Sequence, residues 1–210
     1  MPHKNQPLFY AGTPVQEATT AMILIHGRGA SAQGMLDLER VLQKDDMAYI
    51  APQAANGSWY PFRFIAEIAQ NEPYLSSALS LIDNTVDMLI KAGFKTNQIV
   101  LGGFSQGACL ASEYVARHPA RYGGLFVFSG GLIGPPGGLP AYSGDLNQTP
   151  VFIGCSDVDA HIPLERVEET AQVLASLGAQ VDKQIYPGMG HTINTEEIKA
   201  VQKILEALDA

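Results

Sequence analysis

Residues 103–107 read Gly-Phe-Ser-Gln-Gly and place a serine between two glycines. The preceding apolar run, 98–102, predicts a buried strand, and residues 105–118 have the spacing of a helix. In this strand–turn–helix context the glycines let strand and helix pass closely, and the hydroxyl projects above the sheet. We therefore expect Ser105 to be a nucleophile. The alternative is a chance match in which Ser105 merely caps the helix.

A serine hydroxyl needs a base that removes its proton, and histidine is suited to that role near neutral pH. In a fold with this serine turn, the acid and the histidine follow the serine along the chain. Of the five histidines, only His161 and His191 do so. His191 follows the last predicted strand on a glycine turn, so we expect it to be the base. His161 is the second candidate, because it crowds the loop that must supply the acid.

The loop after the predicted strand 150–154 contains two candidate acids, Asp157 and Asp159. Counting forward from Gly154 favours Asp157, whereas counting back from Pro163 favours Asp159. The carboxylate that orients the histidine must lie near the histidine loop and must not cap a helix, which favours Asp159. The other aspartate would make turn hydrogen bonds. The residues alone leave both assignments open.

An oxyanion in a tetrahedral intermediate needs two backbone N–H donors. The residue after the serine, Gln106, supplies one at a helix N-terminus. The loop after an early strand should supply the other, and Arg28 of the segment His-Gly-Arg-Gly at 26–29 is the candidate. We expect His26 to tie down this loop. We expect the Arg28 side chain to point to solvent, the alternative being contact with an acidic substrate.

Two other patterns compete with this interpretation. Residues 27–32 match a dinucleotide-binding fingerprint, but the acid expected about 20 residues later at the end of the second strand is missing. Residues 157–161 contain Asp, Asp and His at alternating places, which is one pattern of a metal cluster. Further His or Cys ligands do not lie nearby in the sequence, so we expect no metal.

Short apolar runs alternate with longer amphipathic ones along the chain, which predicts a mostly parallel sheet with helices on both faces. Linkers and repeats are not visible, so we expect residues 1–210 to form one α/β domain with its ligand site beyond the carboxyl ends of the strands. The predicted strands are 21–26, 47–51, 98–102, 124–129, 150–154 and 180–186, and the predicted helices are 31–44, 74–92, 105–118, 164–177 and 195–208.

The composition argues against several classes of function. The 210 residues are 46% hydrophobic and carry a net charge of −8 without a basic run, which argues against binding nucleic acid or anionic lipid. Apolar runs do not reach the roughly 18 residues of a membrane span, and the N-terminus does not resemble a signal peptide. Cys109 and Cys155 are too few for a disulfide scaffold. We expect a cytoplasmic protein with free thiols.

Four segments together resemble the phospholipase/carboxylesterase family of α/β-hydrolases, which includes small bacterial carboxylesterases and acyl-protein thioesterases. The resemblance spans nearly the whole chain, from Met22 to Leu208, and its segments are 24–29, 103–107, 159–163 and 190–191. It implies an α/β-hydrolase fold without a large lid and serine-dependent hydrolysis of esters or thioesters without a cofactor. By the same resemblance, Ser105, Asp159 and His191 are the triad.

The chain departs from the family at three places. Arg28 stands where the family often has an apolar residue, and Asp157 leaves the acid assignment open. The aromatic segment 59–64 differs from the thioesterase branch and either walls an acyl pocket or packs in the core.

These features favour a serine carboxylesterase acting on small-molecule esters with short to medium acyl chains. The nearest alternative is a thioesterase or lysophospholipase acting on acyl-protein, acyl-CoA or lysolipid. A non-catalytic α/β domain that binds a small ligand is the alternative of another class. The sequence leaves a homodimer open.

Overall fold

The computed structural model describes residues 1–209 and is built around one seven-stranded sheet. The strands are β1 (Leu8–Gly12), β2 (Thr20–Ile25), β3 (Met47–Pro52), β4 (Ile99–Phe104), β5 (Gly124–Phe128), β6 (Pro150–Ser156) and β7 (Gln180–Tyr186). Their spatial order is β1-β3-β2-β4-β5-β6-β7. Only the β1–β3 pair is antiparallel, so the carboxyl ends of the other strands share one edge of the sheet.

Helices cover both faces of the sheet, which confirms the predicted fold class. They are α1 (Ala32–Leu36), α2 (Glu39–Leu42), α3 (Ile68–Asn71), α4 (Tyr74–Lys91), α5 (Gln106–Arg117), α6 (Leu164–Ser176) and α7 (Thr195–Glu206). The side chains of alternate residues in β2 point to opposite faces of the sheet. Ile23 packs in the core layer with α4, α5 and α6, and Met22 packs in the layer with α1, α2 and α7. The helices described over residues 1–209 include none long and apolar enough to cross a membrane.

Three elements differ from the sequence predictions. The edge strand β1 was not predicted, because it is only partly buried and its pairing with β3 is a long-range contact. The predicted helix 31–44 is two short helices, since at Asp37 and Leu38 the backbone N–H groups bond three residues back, to Gly34 and Met35. The short helix α3 lies between the predicted strand 47–51 and the predicted helix 74–92, where neither a helix nor a strand was predicted.

Buried charged groups hold the Gly/Pro-rich loop 130–145 against the sheet. The Arg166 guanidinium donates to the carbonyl oxygens of Leu132 and Gly134 at 2.7 and 2.8 Å. The Glu113 carboxylate accepts the Ile133 N–H at 2.8 Å. These bonds tie residues 132–134 to helices α5 and α6, so this part of the loop is a fixed part of the molecule rather than a lid.

Helix α7 begins with a capping box that buries a carboxyl group. Asn194 Oδ1 accepts the Glu197 N–H at 2.9 Å, and Glu197 Oε2 accepts the Asn194 N–H at 2.8 Å. The other oxygen, Glu197 Oε1, has no hydrogen-bond partner in the described structure, and the residue is 0% exposed. Burial raises the pKa of Glu197 to about 7, although the Asn194 N–H opposes the shift.

The raised pKa predicts pH-dependent stability. The folded protein holds this proton up to about pH 7, whereas an unperturbed carboxyl releases it near 4.5, so its contribution to stability falls as pH rises through that window. Glutamine stays neutral. We expect Glu197→Gln to raise the urea midpoint more at about pH 8 than at about pH 5. Glu196→Gln removes the same charge from an exposed place on the same turn and is the control. An equal effect at both pH values would contradict the prediction.

Candidate active site

Ser105 lies in the turn between β4 and α5 with φ 55° and ψ −121°, a region that residues with a side chain rarely adopt. The turn is tight because two glycines pack against the neighbouring strand. A Cβ on Gly103 would lie 2.5 Å from the Gly107 carbonyl carbon, and a Cβ on Gly107 would lie 2.0 Å from the Ile25 oxygen. The spacing of the glycines thus has the steric cause that the sequence suggested, and it directs the hydroxyl outward.

His191 and Asp159 form a hydrogen-bonded chain with this serine. Ser105 Oγ lies 2.8 Å from His191 Nε2, and His191 Nδ1 lies 2.7 Å from Asp159 Oδ2. Since a carboxylate only accepts, Nδ1 carries the proton and Nε2 is left to accept from the hydroxyl. The three residues come from turns after β4, β6 and β7, and only the fold brings them together.

The surroundings of Asp159 favour its ionised form. Its Oδ1 accepts the backbone N–H groups of His161 and Ile162 at 2.8 and 3.1 Å. Burial by itself would raise the pKa of Asp159, but the hydrogen bonds from His191 and these two N–H groups together lower it. A charged carboxylate beside Nδ1 stabilises the imidazolium that forms when His191 takes a proton.

Asp157, the other candidate acid, has a different partner. Its Oδ1 accepts the Gly188 N–H at 2.8 Å, on the turn that leads to His191. The two aspartates therefore point to different parts of the same loop, Asp159 to the imidazole and Asp157 to the backbone. In the part of the chain that the structure describes, no group of three His, Cys, Asp or Glu side chains is placed to hold a metal ion.

The two segments that carry the expected oxyanion donors lie beside the serine. Gln106 is the first residue of α5, so its N–H belongs to the set without an intrahelical acceptor. Gly27 packs against the serine, since a Cβ there would lie 3.3 Å from Ser105 Cβ. Arg28 follows Gly27 and lines the same cavity as Ser105. The arrangement gives two backbone segments beside the hydroxyl, as an oxyanion hole requires.

Arg28 is exposed, in line with the expectation for its side chain. Its guanidinium also donates to Ser58 Oγ and to the carbonyl oxygens of Pro61 and Phe62, at 3.0, 2.9 and 2.7 Å. Carbonyl oxygens in an irregular segment need donors, and arginine supplies several in a planar fork. Arg28 therefore braces the aromatic segment 59–64 and the preceding Ser58.

His26 ties down the loop, as expected. Its Nε2 accepts the Ala54 N–H at 3.0 Å, which leaves Nδ1 to donate to the Gly27 oxygen at 2.7 Å. The Trp59 indole N–H donates to the His26 carbonyl oxygen at 2.8 Å. Burial lowers the pKa of His26, although its bond to Gly27 opposes the shift. These bonds make His26 a structural residue.

Sequence reasoning missed two supports of the site. The Gln106 side chain is buried and clamps the aromatic segment, with Oε1 accepting the Trp59 N–H at 3.0 Å and Nε2 donating to the Tyr60 oxygen at 2.8 Å. The Phe104 ring packs on the His191 imidazole with centroids 4.8 Å apart. For Gln106 the sequence offered one signal, a polar residue at the start of an otherwise apolar helix. For Phe104 it offered none, because the contact with His191 joins residues far apart in the chain.

A cavity of about 650 Å³ opens onto the Ser105 hydroxyl. The aromatic segment 59–64 both packs in the core and forms a wall of the cavity. Trp59 is fully buried in the core, whereas residues 60–64 line the cavity. Cys109, one helical turn beyond Ser105, is buried and lines the cavity, and Ile162 lines it from the acid loop.

Comparisons with known proteins identify the family of the chain. The family model described as phospholipase/carboxylesterase matches residues 11–209. The chain therefore belongs to the phospholipase/carboxylesterase family. It is similar to acyl-protein thioesterase 1 of Saccharomyces cerevisiae, with 28% identity covering 91% of this chain and 94% of the yeast protein.

Solved structures show the same fold. The crystal structure of a phospholipase/carboxylesterase from Dyadobacter fermentans superposes with a TM-score of 0.92 and 43% identity, covering 96% of this chain and 97% of that one. The Bacillus cereus carboxylesterase, at 18% identity, shares the fold with a TM-score of 0.76 over 98% of this chain and 95% of its own. The chain thus has the α/β-hydrolase fold and is a serine hydrolase of carboxylic esters or thioesters.

The tight turn yields a prediction at Gly107. A methyl group there would overlap the Ile25 carbonyl oxygen, which belongs to a central strand and cannot move aside. We expect Gly107→Ala to lower the free energy of unfolding by about 3 kcal/mol, measured by urea denaturation. Gly34→Ala is the control, because its Cβ would meet only Ser31 Oγ at 3.4 Å. Equal stability of the two variants would show that the turn tolerates a side chain.

Proposed function

We propose that this protein is a serine carboxylesterase for small esters with short to medium acyl chains, with Ser105, His191 and Asp159 as its triad. The observation that carries the proposal is the unbroken chain from Ser105 Oγ through both imidazole nitrogens to Asp159 Oδ2, with links of 2.8 and 2.7 Å. Each link joins a donor to an acceptor in the tautomer that base catalysis needs.

The reaction proceeds in two halves. Ser105 Oγ attacks the ester carbonyl carbon while His191 Nε2 takes the hydroxyl proton, and the backbone N–H groups of Arg28 and Gln106 hold the oxyanion. The bond to the alcohol breaks, and His191 gives its proton to the leaving oxygen. Water then attacks the acyl-enzyme with His191 again as base, which releases the acid and restores the serine. No step requires a cofactor.

The substrate class follows from the cavity. Its walls are mostly apolar and aromatic, which suits an acyl chain, and the buried residues Tyr60 and Cys109 belong to them. A cavity of about 650 Å³ has finite room for an acyl chain, which favours short and medium chains over long ones. A thioesterase acting on acyl-protein is the second candidate, because the curated yeast relative named for that activity covers nearly the whole chain.

Acyl-chain preference tests the proposed substrate class. On 4-nitrophenyl esters of increasing length, we expect kcat/KM to peak at short or medium chains, because longer chains exceed the cavity. Ser105→Ala should lower kcat by a factor of about 10⁴ or more while the circular dichroism spectrum stays unchanged. Retained turnover in Ser105→Ala would contradict the mechanism. A higher kcat/KM on the matching thioesters would favour the thioesterase alternative.

Paired variants test the acid assignment. Asp159→Asn should lower kcat by about 10⁴, because the amide no longer fixes the imidazole tautomer or stabilises the imidazolium. Asp157→Asn is its matched control and should lower kcat by less than about tenfold, since it weakens one hydrogen bond to the Gly188 N–H. The reverse order of effects would assign the acid to Asp157.

A further inference from the structure

The charge of the cavity at Ser105 is opposite to that of the whole protein. The chain carries a net charge of −8, yet the charged side chains that line the cavity are Arg28 and Arg63, together with the imidazoles of His161 and His191. Aspartate and glutamate are absent from the described lining residues. A cavity with this lining favours a substrate group of negative charge.

The Asp159 carboxylate does not cancel this charge at the cavity surface. Its side chain is 0% exposed, and its two oxygens accept the imidazole Nδ1–H and two backbone N–H groups. It lies behind His191, so a substrate in the cavity meets the imidazole and the arginines rather than the carboxylate.

Arg63 is the arginine placed to contact a ligand. Its side chain is exposed at the cavity mouth, and the one hydrogen bond described for its guanidinium goes to the His161 carbonyl oxygen at 3.2 Å. A guanidinium has five N–H donors in a planar fork, and a single bond leaves donors for a ligand. Buried Asn71 fixes the local backbone, accepting the Phe62 N–H and donating to the Arg63 oxygen.

Arg28 contributes to the positive charge of the cavity in a different way from Arg63. Its guanidinium is held by Ser58, Pro61 and Phe62, so it adds a fixed positive charge to the same wall. A fixed charge and a second guanidinium with spare donors form a preorganised anion site, and arginine pairs with carboxylate or phosphate oxygens through two parallel hydrogen bonds.

We infer that the enzyme prefers esters that carry a second, anionic group, a carboxylate or a phosphate-like group, and that Arg63 determines this preference. The inference rests on the proposed function, because it concerns the substrate of the same serine. Arg63 acts on substrate binding and takes no part in bond making.

Three probes with one leaving group test the preference. They are the mono-4-nitrophenyl ester of adipic acid, its neutral carboxamide analogue, and a phosphonate analogue of the same chain length. Each initial rate is corrected with Ser105→Ala. We expect kcat/KM for the anionic probes to exceed that for the carboxamide by about fivefold at low salt, and added salt to reduce the ratio. The better anionic probe identifies the carboxylate or the phosphate-like source.

Variants of Arg63 separate a specificity role from a structural one. Arg63→Gln should bring the anionic-to-neutral ratio close to one, chiefly by raising KM for the anionic probes, and Arg63→Lys should retain part of the ratio. Arg121→Gln is the control, because this substitution removes the same charge at a place away from the residues that line the cavity. The Arg121 guanidinium donates to the Gln148 carbonyl oxygen.

Two results would overturn the inference. One is a wild-type ratio at or below one, and the other is an Arg63→Gln variant that keeps the wild-type ratio, whether or not both rates fall together. Turnover of the neutral probe with no anionic preference rejects only the inference. Lack of Ser105-dependent turnover on all three probes, and on the simple esters above, rejects the proposed function itself.

Discussion

The close contact between the β4–α5 turn and strand β2 is the constraint on which the site depends. Gly107 and Gly103 bring the turn against the Ile25 carbonyl oxygen, and this contact holds Ser105 at φ 55°. A residue in such a region costs about 1–3 kcal/mol. Hydrogen bonds from the Ser105 N–H to the Phe128 oxygen and from the Cys109 N–H to the Ser105 oxygen, at 2.9 and 3.0 Å, help to offset that cost.

The other catalytic candidates are held to the serine by loops that support one another. Asp159 organises its own loop by accepting backbone N–H groups, and Asp157 reaches the histidine loop at Gly188. The cavity wall has similar supports, since Arg28 and Gln106 both bond the backbone of residues 59–62. Residues beside the expected oxyanion donors therefore also shape the substrate cavity, which links catalysis to specificity.

The sequence predicted the features of the fold and the site that depend on the local spacing of residues. The glycines around Ser105, the glycine turn before His191 and the alternation of strands and helices each have a local steric or periodic cause, and these predictions agree with the structure. The choice between Asp157 and Asp159 could not be made from the sequence, because both lie on one loop and only the position of the β7 turn distinguishes them. The hydrogen bonds of the exposed Arg28 side chain were not predicted, because its acceptors include carbonyl oxygens some thirty residues away.

The most direct test of the account is covalent trapping of the nucleophile. A fluorophosphonate reacts with a serine only where a base removes its proton and donors hold the developing oxyanion. The account predicts stoichiometric labelling with loss of esterase activity, and mass spectrometry should place the adduct on Ser105. An enzyme that hydrolyses esters at full rate while Ser105 stays unlabelled, or that is inactivated by labelling elsewhere, would contradict it.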